Sequence, residues 1–187
     1  MSVYPGTVVE KGNLSGEQFL QGIFMATSGL VMSQLNEITG IGTPALQNWV
    51  SRGFIARPID RRYSKDTTAR IFIINALRQN MELADIKKLL IYVNGRADDR
   101  KDDIIPESTL YAYMCEIIFN KKFAYNTVNE LIEDTLVSYE ERVKGAKQRL
   151  KTALEIICLN YLSSKLQKRS SVLLEQINPS NIFGESL

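Results

Sequence analysis

Apolar positions recur at helical spacing along most of the chain, and the breaks between segments fall at glycine, proline, serine and threonine. The first dozen residues hold turn formers but no helical period and are predicted to form a loose arm. Ser15 is placed to cap a short helix carrying Phe19, Leu20, Ile23 and Phe24 on one side, which Thr27, Ser28 and Gly29 then end. Leu35 and Ile38, three apart, predict a second short helix stopping at Thr39 and Gly40, and Ile41 and Gly42 make a compact turn. Thr43 followed by Pro44 starts a third helix: the hydroxyl can accept from an orphan amide, and proline at the first helical position gives up no bond. This helix turns Leu46, Trp49 and Val50 inward and ends at Arg52 and Gly53, where glycine can take the left-handed cap. Two short helices joined by a glycine-containing three-residue turn match the helix-turn-helix motif.

Residues 54–63 are extended in character, rich in arginine and interrupted by Pro58, as a short β-wing would be. Ser64 caps a helix running to Asn80, with Ile71, Ile74 and Leu77 marking an inner face and Arg70 and Arg78 an outer one. A further helix carries Leu83, Ile86, Leu89 and Leu90. Residues 94–103 are the most polar stretch and form the natural linker, beyond which everything reads as helix. A long helix starting near Asn126 or Thr127 places Leu136, Val143, Leu150 and Ile157 seven apart, with Ile132, Tyr139, Ala146 and Ala153 at the companion position. This register supports a helix–helix seam over residues 129–162, either internal or between two copies. The tail after Asn178 and Pro179 is predicted to fray. The fold class is therefore mainly α. An arm and short helix (1–29) precede a winged helix-turn-helix (30–93), a polar linker (94–103) and an α-helical C-terminal dimerisation or effector region (104–187).

Composition changes this picture in three places. The hydrophobic share of 44% and charged share of 24% are those of a globular protein, and the net charge is only +2. The bases are unevenly placed. Residues 43–70 hold Arg52, Arg57, Arg61, Arg62, Lys65 and Arg70 against Asp60 and Asp66, whereas residues 1–42 hold Lys11 against Glu10, Glu17 and Glu37. A local basic patch on a near-neutral chain points to a polyanion at one place. The absence of histidine removes His-based metal sites, Ser-His-Asp triads and Cys-His dyads together. Cys115 and Cys158 lie in apolar helical surroundings and are expected to be buried, reduced thiols. No signal segment opens the chain and no apolar run approaches a membrane span, so a cytoplasmic location is expected. Asp98, Asp99, Asp102 and Asp103 alternate with Arg100 and Lys101, without a partner base, nucleophile or glycine-rich loop. Neither catalysis nor a cofactor or metal is expected.

Residues 32–90 together resemble the MerR family of bacterial winged-helix regulators. The segment from Ser33 to Ile41 is similar to that family's first helix and its threonine-glycine-aliphatic turn. Thr43 through Ile55 resembles its recognition helix, ending in Gly53 and two apolar residues. Arg61, Arg62, Tyr63 and Ser64 resemble the wing end, and the run through Leu77, Arg78, Leu83, Ile86, Lys87 and Leu89 resembles its paired following helices. The Asn48-Trp49 pair is most similar to a MerR-related bacterial family of unknown function. Against MerR members generally, the wing is short, some 30 residues precede the motif, and the cysteine cluster of metal sensors is missing.

The resemblance implies a sequence-specific, DNA-binding transcriptional regulator. On a helix starting at Pro44, Gln47, Asn48 and Ser51 lie away from the core beside Arg52, with Thr43 at the helix start. Asparagine and glutamine can pair with an adenine edge and arginine with guanine. Arg57, Arg61, Arg62 and Lys65 would neutralise phosphates or enter a minor groove, and Tyr63 would either donate to a phosphate or pack between wing and helix. The expected partners are double-stranded DNA, a second copy in a homodimer, and a small-molecule effector in a pocket lined by Tyr111, Tyr113, Phe119 or Tyr161. The competing expectation is a protein–protein interaction module that reuses the winged-helix scaffold.

Overall fold

A computed structural model of the chain describes residues 2–95, 97 and 103–177; most of the predicted linker and the tail after Asn178 lie outside them. The described residues are mainly α-helical, with eight helices and no strand. They are α1 (Gly16–Phe24), α2 (Met32–Thr39), α3 (Thr43–Ser51), α4 (Lys65–Leu77), α5 (Leu83–Asn94), α6 (Glu107–Ile118), α7 (Val128–Thr135) and α8 (Ala146–Glu175). None is long and apolar enough to cross a membrane.

The middle of the fold is α4. From Thr67 to Leu77 every residue but the half-buried Asn75 is buried, because α1, α2, α5, α6 and α8 all pack around it. A helix covered on all sides must be apolar all round, as Ile71, Phe72, Ile73 and Ile74 are. Arg70, read from spacing as an outer-face residue, is 2% exposed. Its guanidinium is ion-paired with Glu107 of α6, and its Nε donates to the Phe54 carbonyl at 2.7 Å. A buried guanidinium is tolerable only with such a partner.

Three further expectations change. The N-terminal arm is not loose: Val3 and Glu10 bridge, Tyr4 is buried and stacked on Phe19 at 3.9 Å, and its hydroxyl donates to the Leu14 carbonyl. The long C-terminal helix is broken. Between α7 and α8 the chain leaves the helix, and Gly145 enters α8 at φ +84°, a left-handed value that interrupts any continuous rod. Leu136, Leu150, Ile157, Ile132, Ala146 and Ala153 are all buried within the chain's own core, whereas Val143, in the break, is 53% exposed. The heptad spacing thus describes internal packing of two elements. Finally, residues 54–63 form a tight turn and no ladder. Pairing is limited to Ile59 with Arg62 and Tyr63 with Leu30, since Pro58 has no amide to donate and the return limb finds its partner before α2.

Candidate nucleic-acid interface

The turn between α2 and α3 is built from local chemistry. Gly40 closes α2 in the left-handed conformation (φ +69°), the Thr39 hydroxyl donates to the Leu35 carbonyl, and the buried Ile41 anchors the turn. Thr43 does not cap α3, although its place before Pro44 predicts that it would. Gly42 occupies the cap position, and the Thr43 hydroxyl accepts from Asn36 Nδ2 at 2.6 Å, which pins α3 to α2. Leu46 and Trp49 are buried, with Arg78, at the C-terminal cap of α4, over the indole at 5.7 Å. Pro44, Gln47, Asn48, Ser51 and Arg52 are exposed along the opposite side of α3. The Ser51 hydroxyl is turned back onto the Asn48 carbonyl.

Arg57, Arg61 and Arg62 are exposed on the loop that follows. Arg57 and Arg61 have no hydrogen-bond or ionic partner among the described residues, while Arg62 donates to the Thr27 hydroxyl and the Gly29 carbonyl and so ties the loop to the α1–α2 connection. Between this loop and the end of α3 runs a groove of about 1070 Å³ lined by Arg57, Arg62 and Lys87 among others. Lys87, on α5, is a member of this face that the spacing argument overlooked. Its ammonium donates to the Arg52 carbonyl at the end of α3 and lies 5.2 Å from the Phe54 ring, where a cation complements the helix dipole.

Two of the expected site residues lie elsewhere. Tyr63 is 2% exposed and packs in the core, where burial raises its pKa. Lys65 lines a separate cavity of about 690 Å³ beside α1 and α6. Among the aromatic side chains considered for an effector pocket, Tyr113 and Phe119 line this second cavity, whereas Tyr111 is buried in the core and donates to the Pro5 carbonyl. Cys115 and Cys158 are buried free thiols, each pushed up to about 12 by burial. The N-terminal arm also reaches the turn before α3: Val8 N–H donates to the Ile38 carbonyl, and Asn75 Nδ2 of α4 bridges the Gly6 and Thr39 carbonyls. The signal for this was Tyr4, Pro5 and Gly6, a compact turn sequence beside an aromatic anchor.

A family model for a domain of unknown function (DUF1836) matches residues 19–114, just over half of the chain. The chain belongs to the DUF1836 family. The matched part of this DUF1836 protein runs from α1 into α6 and carries all of α3, the arginine loop, Lys87 and the Arg70–Glu107 pair. Neither a curated protein nor a solved structure matches the chain.

Proposed function

We propose that this chain is a sequence-specific DNA-binding regulator with a MerR-like winged helix-turn-helix, its wing reduced to the arginine loop. The observation that carries the reading is the polar outer side of α3, with Gln47, Asn48 and Ser51 exposed beside Arg57 and Arg61, which have no partner among the described residues. In this reading α3 enters the major groove, where Gln47 and Asn48 meet base edges. Arg57, Arg61, Arg62 and Lys87 meet phosphates. The charge available to DNA is smaller than the sequence count, because Arg70 is neutralised by Glu107 and Lys65 faces another cavity.

Selection from a pool of random duplexes, followed by gel-shift titration at two salt concentrations, tests this. Gln47→Ala or Asn48→Ala should cost about 1–3 kcal/mol of discrimination between the selected site and its variants. Arg57→Ala with Arg61→Ala should weaken binding to every duplex and lower the salt slope by about 2 units. This pair is a cleaner choice than one including Arg62, whose loss would also free the loop. No enrichment from the pool, or an unchanged slope, would refute the reading.

One such head reads few base pairs, and tight binding calls for two related by a twofold axis. We place the contact with the second copy on the C-terminal half of α8. Its last buried residue is Cys158, after which Leu166 (63% exposed) and Leu173 extend the stripe begun by Leu159 at seven-residue intervals. A bare helix of this length is marginal in water. Antiparallel pairing about Arg169 and Ser170 sets Lys165 of each copy near Glu175 of the other, whereas parallel pairing sets Lys165, Lys168 and Arg169 against their own copies. Leu166→Asp with Leu173→Asp should turn a dimer at micromolar concentration into a folded monomer by sedimentation equilibrium. A wild-type monomer at that concentration would exclude the contact.

A further inference from the structure

Ile59 is 80% exposed although β-branched and apolar, and it stands between Arg57 and the Arg61-Arg62 pair. A single exposed apolar side chain is ordinary on a protein surface. Its mounting is not. Asp60 (φ 48°) and Arg61 (φ 62°) both adopt left-handed conformations, the signature of a type I′ turn, and these are the positive-φ residues other than glycine among the described residues. The turn is closed from both sides, with Ile59 N–H donating to the Arg62 carbonyl at 3.0 Å and Arg62 N–H donating to the Ile59 carbonyl at 2.8 Å. Pro58 stiffens the approach, and Arg62 ties the far limb to Thr27 and Gly29. A branched apolar side chain is thus held out into solvent by a short, rigid and strained support.

The same groove that is lined by Val50 and Ser51 at the end of α3 is lined on its other side by Arg57 and Ile59. The channel carries Arg57, Arg62 and Lys87 against Asp60 and Asp66, and this net positive lining suits one sugar-phosphate strand, with α3 on its major-groove side and the turn on its minor-groove side. Resting on the DNA-binding reading, we infer that Ile59 is an apolar wedge that enters the minor groove between two stacked base pairs and kinks the duplex. Side chains of this type partly unstack a base step, and the bend allows more of the protein to reach the backbone. Arg57 and Arg61 supply the phosphate contacts that hold the wedge at the step. Asp60 fits as a turn residue that tolerates positive φ, and it is outnumbered by its arginine neighbours. Specificity would then include steps that unstack readily, pyrimidine–purine above all, at positions α3 never touches.

The experiment uses the full chain and a duplex that it has selected from a random pool. The ends carry a fluorescence energy-transfer pair, and 2-aminopurine replaces in turn each adenine flanking the selected core. The wild-type chain should raise energy transfer between the ends and brighten 2-aminopurine at one step. Ile59→Ala, at an exposed position, should melt like the wild type and bind within about tenfold of its affinity, but lose both signals; Ile59→Phe should keep them. A bound wild-type complex with straight DNA and no brightening, or an Ile59→Ala complex that retains both signals, overturns the wedge while leaving DNA binding intact. If the pool yields no bound duplex at low salt, the DNA-binding reading and the wedge fall together.

Discussion

Glu107→Gln is expected to lower the stability of the folded chain by about 3–5 kcal/mol, a large share of what a domain of this size possesses. Glu107, in the first turn of α6, is 5% exposed, and Arg70 on α4 is equally enclosed. Glutamine can still accept a hydrogen bond, but it removes the charge that is ion-paired with the guanidinium in a low-dielectric site. The damage should reach the candidate interface. Arg70 Nε also holds the Phe54 carbonyl, at the point where the chain leaves α3 for the arginine loop. Replacing both members, Arg70→Met with Glu107→Leu, removes the desolvation cost together with the attraction and should recover most of the loss. The Phe54 carbonyl would then lack its donor, a residual cost of about 1–3 kcal/mol. Urea unfolding of the three variants checks this ordering, and a Glu107→Gln protein within about 1 kcal/mol of the wild type would contradict it.

The parts of the fold that could be read along the chain are those set by near neighbours. Ser15 makes its capping box with Gln18, Ser64 caps α4, and Gly40 and Gly53 take the positive φ at the ends of α2 and α3. Each depends on residues within one or two turns. The outer side of α3 was legible for the same reason, since burying Leu46 and Trp49 forces Gln47 and Asn48 outward. Arg70 was misplaced because its environment is decided by Glu107, 37 residues away, and an arginine at helical spacing normally marks a solvated face. Thr43 was misplaced by its contact with Asn36 across a chain reversal, and of the two roles open to Tyr63 the structure shows packing, beside its bridge to Leu30. The heptad misled because a period reports which residues are buried and not whether one helix carries them. Leu136 ends α7, Leu150 belongs to α8, and Gly145 separates them. Lys87 was present in the sequence as an unremarkable helix lysine; only its approach to the Arg52 carbonyl joins it to α3.

Gly6→Ala should detach the N-terminal arm. An added Cβ would stand 1.9 Å from the carbonyl oxygen of Phe72, a backbone atom in the middle of α4 that cannot give way. The backbone there is also at φ +73°, which by itself costs an L residue roughly 1–2 kcal/mol. The buried helix is much stiffer than the arm, so the arm moves. Its release exposes Tyr4, now stacked on Phe19, and leaves the buried Tyr111 hydroxyl without the Pro5 carbonyl and Asn75 without the Gly6 carbonyl. Losing a buried aromatic anchor costs about 3–5 kcal/mol, and the helical body can persist without the arm. Hydrogen exchange separates arm release from general unfolding. Protection should disappear at Tyr4, Thr7 and Val8, whose amides are bonded within the arm and to Ile38, while the amides of α4 and α6 stay protected. The last turn of α2, which leads into α3, should loosen as well, since Val8 and Asn75 hold the Ile38 and Thr39 carbonyls. If Gly6→Ala left the arm amides as protected as in the wild type, the arm would have to reach α4 by another backbone path than the one Gly6 permits.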